Sequence, residues 1–240
     1  MATSLSYIFL DLIPKPGSEL IKRITTNMPN TIKEGELIPS IRLSRLQPDG
    51  KTVTWFDTRK EFSKELTALF FVPGAWTPTC TKDHLPTIAK AQSAFTEMQV
   101  RIGCVGVNNR DTMHPWAMSQ NADPSIMIPD YLGQLTWEMG LGMDKCEGAK
   151  EGEERHLGFV AKRACVVLYN GRVVDIKIEE NAGVCTTKSS GQGLLDRMPA
   201  ILEKIKAMKS QTNEEKENKT PQRSQEEKKT KRKVSSEDDK

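Results

Sequence analysis

The chain has 240 residues, 28% of them charged and 6% aromatic, with a formal net charge of +3. That length fits one compact domain with extensions, and so small a basic excess, much of it in the C-terminal stretch, argues against a nucleic-acid binder. Five cysteines are too few, and odd in number, for a secreted disulfide framework, and no apolar run reaches membrane-spanning length.

Residues 1–33 read as an N-terminal extension, a loosely ordered leader in which Leu20, Ile21 and Ile24 give at most one amphipathic turn. The apolar piece Tyr7 to Ile13 is interrupted by Asp11 and has no basic run before it, so it makes a poor signal peptide. Asp11 and Glu19 also spoil the acid-poor composition of a mitochondrial presequence. A reducing, cytoplasmic compartment is the expectation, with mitochondrial and nuclear placement left open.

Residues 34–209 carry the folded domain. Ile41 to Leu46 and Lys51 to Phe56 are predicted as a hairpin around Pro48-Asp49-Gly50, where proline presets φ and glycine accepts a positive one. Asp57 is placed to cap a helical turn over Thr58 to Ser63. The apolar run Leu66 to Val72 reads as a buried strand, ended by Pro73 and Gly74. Thr77 and Pro78 suit the N-cap and first position of a helix that continues to Met98, with Leu85, Ile88, Ala91, Ala94 and Phe95 at helical spacing. Arg101 to Val107 is predicted as a second strand, followed by a helix capped by Asp111 and running to about Asn121, with Pro115 in its first turn. A third strand is expected over Ser125 to Ile128, a turn over Asp130 to Gly133, a short helix over Leu135 to Met139, and a loop over Gly142 to His156. Phe159 to Tyr169 and Arg172 to Ile178 flank Asn170-Gly171, the strongest short hairpin signal. A loop over Glu179 to Ser190 leads to a final helix, Gly193 to Met208. Strands alternating with helices, then a hairpin and a helix, imply an α/β sandwich with a mixed sheet.

Residues 210–240 hold one aliphatic side chain, Val234, amid dense mixed charge. They bury too little to offset ordering entropy and are expected to be disordered. Lys228 to Lys233 form a basic run and Ser235 to Asp239 match an acidophilic kinase pattern. Acidic residues flank the basic run on both sides, which favours a solvated tail.

The chemistry is expected at Cys80. In the first turn of a helix, unpaired N–H groups and the positive end of the helix dipole favour a negative charge, and the thiolate is the nucleophilic form. Thr77 is spaced to point its hydroxyl at the same place. His84, four residues on, shares a helix face with Cys80. That pair admits two readings: nucleophile with a general base, or half of a zinc site. With only two further histidines and no C-x-x-C, zinc is disfavoured and no metal or cofactor is expected.

Pro73, Thr77 and Cys80 resemble the peroxiredoxin motif P-x-x-x-T-x-x-C, and the run Pro73 to Pro86, PGAWTPTCTKDHLP, is similar to that of the peroxiredoxin 5 (type II) subfamily, with Trp76 where Phe is usual. The resemblance covers about Glu34 to Lys209. It implies a thioredoxin-like fold, a mixed central sheet flanked by helices, and a peroxidase that reduces hydrogen peroxide and alkyl hydroperoxides through a cysteine sulfenic acid. On that pattern Arg163, in preference to Lys162, supplies the fixed cation beside Cys80. Thr77 and the Cys80 N–H act as donors, and Pro73 and His84 shape the pocket. Cys185 and Cys104 are the internal candidates for resolving the sulfenic acid; Cys104, inside an apolar strand, also reads as a buried small hydrophobe. Thioredoxin, glutaredoxin or glutathione is the implied reductant, and a homodimer the implied assembly. Asn109 stands where the family pattern V-N-D has aspartate; Asn108 and Trp116 match it. A competing reading is a redox sensor with low turnover that recruits partners through its charged tail, and a third, a cysteine hydrolase, lacks an oriented histidine and acid.

Overall fold

The structure, a computed structural model, describes residues 24–145, 158–181 and 187–210. Cys146, Cys185, the leader up to residue 23 and the tail from residue 211 lie outside these. The chain divides into two compact units, Met1–Arg197 and Met198–Lys240. Of the second, the described part is the continuation of a helix over residues 191–210.

A hairpin opens the domain. Strand β1 (Arg42–Leu46) pairs antiparallel with β2 (Val53–Asp57). The Asp57 carboxylate accepts the Lys60 N–H and so starts helix α1 (Thr58–Glu61). Glu61 then ion-pairs with Arg45 and Arg101, tying the hairpin to the strand that carries Arg101.

The central sheet has five strands. Strand β3 (Leu66–Val72) lies between β4 (Val100–Gly106), parallel to it, and β8 (Ala164–Tyr169), antiparallel to it. Strand β5 (Met127–Pro129) extends the parallel side and β9 (Arg172–Ile178) the antiparallel side, giving the order β5-β4-β3-β8-β9. The β8–β9 turn has Asn170 and Gly171 both at positive φ, as an Asn-Gly hairpin requires.

Side chains alternate across the sheet and divide the core between its faces. Leu69, Phe71, Val105, Val166 and Leu168 join Ile38, Ile41, Leu43, Phe56 and Phe62 from the hairpin side. On the opposite face Phe70 packs against Phe95 of helix α2 (Leu85–Glu97) and against His84, just before that helix. Cys104 and Cys165 sit in register with Phe70 on either side, so a row of sulfur, ring and sulfur runs under the helix.

Three expectations need correction. First, Phe159 to Tyr169 is not one strand. Strand β7 (Phe159–Ala161) pairs with β6 (Gly142–Asp144) in a separate two-stranded sheet, and the chain turns at Lys162 and Arg163 before β8. Gly142 to Asp144 is therefore strand rather than loop. Second, helix α3 (Arg110–Ser119) is capped by Asn109, whose side-chain Oδ1 accepts the Thr112 N–H, and not by Asp111. Pro115 consequently falls inside the helix; it and Asp111 are exposed, where the lost backbone bond costs least. Third, Pro124–Ile126 forms a 3₁₀ turn before β5.

Residues 24–33 are not loose. Thr31 Oγ1 donates to the Gly140 carbonyl, the Ile32 N–H to the Met139 carbonyl, and the Trp137 indole to the Ile24 carbonyl. Trp137 and Met139 belong to and follow helix α4 (Gln134–Glu138), itself anchored by Asp130, whose buried carboxylate accepts the Leu135 and Thr136 N–H groups. Gly140 holds φ at +63°, and a β-carbon there would lie 2.5 Å from the Asn30 carbonyl oxygen. Both facts demand glycine. Gly140→Ala is expected to cost about 2 kcal/mol through the left-handed φ and the backbone clash. Thermal unfolding should show a fall in Tm of roughly 4–8 °C; an unchanged Tm would mean that the contact contributes nothing.

Candidate active site

The parallel strands end together at one pole of the sheet, and three loops meet there. Residues 73–77 follow β3, residues 107–109 follow β4, and residues 130–133 follow β5. Asn108 Oδ1 accepts the Ala75 N–H, the Asp130 N–H donates to the Gly106 carbonyl, and Gly133 lies against Val107 and Phe159. Pro73 is buried at the end of β3. Trp76 takes a positive φ of 64° and stands 54% exposed on the rim.

The chain enters a helix at Pro78, and the Thr81 N–H bonds back to the Thr77 carbonyl, which puts Thr77 at the N-cap as expected. Its hydroxyl does something else. It donates to the Gly74 carbonyl at 2.8 Å, closing the turn before the helix, so its proton is already committed. A hydroxyl that donates once still has lone pairs to accept with.

Past Thr79 the helix widens. Cys80–His84 forms a π turn, with the Leu85 N–H reaching back to the Cys80 carbonyl. Pro86, two residues beyond that turn, has no N–H to supply to an α-helical ladder, and a widened turn ahead of it accommodates the gap. Cys80 and His84 are both fully buried within this turn. The Trp116 indole donates to Thr81 Oγ1 at 3.0 Å and braces the turn from α3.

Arg163 reaches the sulfur from across the sheet. It lies between β7 and β8, is 1% exposed, and its Nη2 donates to Cys80 Sγ at 3.5 Å. Its Nη1 is 2.8 Å from His84 Nδ1. Arginine has only donors, so Nδ1 must accept. The other ring nitrogen, Nε2, therefore carries the hydrogen and donates to the Ser189 carbonyl at 2.9 Å. The tautomer is fixed from both sides. Burial, followed by the Arg163 charge, pulls the His84 pKa down to about 4, so the ring is neutral at physiological pH. With both nitrogens engaged, His84 is no base for Cys80. It is the acceptor that aims the guanidinium.

Lys162, the neighbour that a one-residue slip would have chosen, points instead toward the Gly140 carbonyl. Cys104 is fully buried in β4, and burial drives its thiol strongly away from ionisation. Cys165 is likewise buried, and its thiol is pushed up to about 12. Cys185 lies outside the described residues. Among the described residues, no group of three or more His, Cys, Asp or Glu side chains comes together to hold a metal. The sequence reading missed Ser189 and Glu179, which it left in a loop: the Glu179 carboxylate is buried and accepts from both the N–H and the hydroxyl of Ser189. Only spatial proximity identifies them.

Comparison with known proteins identifies the family. A model of the redoxin family matches residues 33–195. The chain is similar to peroxiredoxin-2E, chloroplastic, of Arabidopsis thaliana, with 30% identity over 176 residues that cover 71% of each chain. It is 30% identical over 151 residues to the hybrid peroxiredoxin hyPrx5 of Haemophilus influenzae, covering 62% of this chain and 58% of that one. Among solved structures, reduced Prx3 in complex with H2O2 from Vibrio vulnificus superposes with a TM-score of 0.61 at 26% identity, over 70% of this chain and 97% of that one. The mixed sheet with its flanking helices is the thioredoxin-like fold of these proteins. By sequence, fold and the buried cysteine at the head of its helix, this chain belongs to the peroxiredoxin family, in its peroxiredoxin 5-like subfamily, and is a thiol-dependent peroxidase.

Proposed function

We propose that Cys80 is the sulfur that attacks peroxide, that Arg163 and Thr77 are its partners in that step, and that Cys185 resolves the product. The observation that carries this reading is the Arg163 fork, with one nitrogen fixed on His84 and the other on Cys80 Sγ. The thiolate attacks one peroxide oxygen; an S–O bond forms, the O–O bond breaks, and the second oxygen leaves as hydroxide or alkoxide and takes up a proton. Cysteine is oxidised to the sulfenic acid and peroxide is reduced to water or an alcohol. Arg163 favours negative charge on sulfur first and then on the departing oxygen. Thr77, its own proton spent on Gly74, accepts the hydrogen of the peroxide and so orients it.

The Cys185 thiol then condenses with the sulfenic acid, forming a disulfide and releasing water. Its place in the chain supports this role. Cys185 is four residues from Ser189, whose carbonyl bonds His84, and four extended residues span at most ~14 Å. Cys104 is the weaker candidate, since a thiol so hard to ionise is a poor nucleophile. A dithiol of the thioredoxin type then reduces the disulfide, with glutaredoxin or glutathione as the alternative reductants, in a reducing compartment such as the cytoplasm. Among the described residues no helix is long and apolar enough to cross a membrane.

We also propose a homodimer. Trp76, Tyr131 and Leu132 are 54%, 48% and 71% exposed on neighbouring loops at the active-site pole, an apolar rim suited to a second copy. Sedimentation should give twice the chain mass, with Leu132→Glu shifting the balance toward monomer; a wild-type monomer at all concentrations would refute it.

One equivalent of hydrogen peroxide should convert the reduced protein to a Cys80–Cys185 disulfide, read by non-reducing peptide mapping. Sulfenic acid without a disulfide would assign resolution to an external thiol, and oxidation elsewhere with Cys80 intact would end the proposal. Arg163→Ala should slow Cys80 oxidation by about 100-fold.

The lowered His84 pKa carries a pH dependence. Between the unfolded value of 6.5 and the folded value of about 4, the unfolded chain binds the proton that the folded one refuses, so stability falls as pH falls through this window. The loss between pH 7 and pH 5 should be about 2 kcal/mol by urea unfolding. His84→Asn, which keeps an acceptor and a donor but does not titrate, should flatten that part of the pH curve; an unaltered curve would mean that His84 does not contribute.

A further inference from the structure

Glu179 is a buried carboxylate for which the reaction above has no use. It directly follows β9 and is 5% exposed. Its Oε1 accepts from the Ser189 N–H at 2.8 Å and from the Ser189 hydroxyl at 3.0 Å. Its own N–H donates to the Arg163 carbonyl at 2.9 Å. Ser189, so held, presents its carbonyl to His84 Nε2, and His84 in turn receives Arg163 Nη1. One residue thus grips the arginine backbone directly and the arginine head through two intermediaries.

Burying a carboxylate is costly unless its charge and lone pairs are used. Two Ser189 donors on one oxygen use those lone pairs, a role that an amide oxygen fills as well. Arg163 brings a full positive charge into the same interior, and the Glu179 charge acts on the His84 ring in the opposite sense to Arg163.

We infer that Glu179 is a positioning residue for the peroxide reaction: by clamping Ser189 it fixes the His84 tautomer, and through His84 it holds the Arg163 fork on Cys80. This rests on the assignment of Cys80 and Arg163 proposed above. Removing a residue that orients a reactive centre through an intermediary commonly costs about 10–100-fold; Glu179 reaches Cys80 through Arg163 by its backbone bond and through Ser189, His84 and Arg163 by its side chain.

The test uses the full reduced chain and its variants Glu179→Ala, Glu179→Gln and Arg163→Ala. Two quantities are read: the second-order rate of Cys80 oxidation by hydrogen peroxide in stopped flow, and the pH profile of Cys80 alkylation by iodoacetamide. Glu179→Ala is expected to slow oxidation at least about 10-fold and to move the alkylation profile to higher pH. Glu179→Gln, which keeps an acceptor for Ser189, should recover most of the rate. A Glu179→Ala protein with wild-type rate, or with a slower rate but an unmoved alkylation profile, overturns the inference. Should Glu179→Ala not fold, Glu179→Asp, which draws the carboxylate back by one methylene, is read against the same two outcomes. Arg163→Ala separates the two levels. If it reacts as fast as wild type, the assignment of the site falls; if it is slow while Glu179→Ala is not, only the role of Glu179 falls.

Discussion

Arg163 is 1% exposed, so the fold must supply the hydrogen-bond partners that water would otherwise give its guanidinium. That requirement organises the region around Cys80. Arg163 needs an acceptor on Nη1, and a histidine whose other nitrogen is occupied provides one. The histidine needs a carbonyl, which residue 189 provides. The carbonyl needs a fixed backbone, which a buried carboxylate provides. Each step trades a desolvation cost for a hydrogen bond of fixed direction, and the chain of bonds terminates at a sulfur.

The sheet makes this geometry affordable. A parallel pair, β3–β4, leaves its strand ends at one pole, where the loops bearing Thr77 and Asn108 meet. The antiparallel partner β8 runs the other way, so the residue that precedes it arrives at that same pole. Arg163 can therefore sit beside Cys80 because β3 and β8 are antiparallel neighbours. The separate β6–β7 pair and the strap of residues 24–33 pack behind α4 and hold the approach to β8 in place. The π turn at Cys80–His84 completes the arrangement, with Cys80 and His84 both buried above the apolar stripe of α2.

Much of this was legible in the sequence, and the failures have physical causes. The apolar run of β3, the Asn-Gly hairpin and the Asp57 cap are local signals, and each forms as expected. Cys80, Thr77 and Arg163 were named from the motif and the run before β8, and the structure brings Cys80 and Arg163 together. The break at Lys162 and Arg163 was invisible because both flanking segments are apolar and β-rich, so only their different partners divide them. Asn109 was passed over as a cap in favour of Asp111 because both residues suit the position; the backbone decides by turning extended at Asn109. The direction of the Thr77 hydroxyl depends on the Gly74 carbonyl, which no spacing rule reveals. Glu179 and Ser189 belong to a stretch with no periodicity, and Ser189 meets His84 across 105 positions of sequence.

The separation of Cys80 from Arg163, 83 positions along the chain, has a consequence for biosynthesis. The cysteine emerges from the ribosome well ahead of its arginine, an interval on the order of ten seconds at ordinary elongation rates. Throughout that interval β8 does not exist, the guanidinium has no place beside the sulfur, and Cys80 is an ordinary thiol on a nascent chain. On the assignment proposed above, reactivity toward oxidants waits for a pairing that an incomplete polypeptide cannot make.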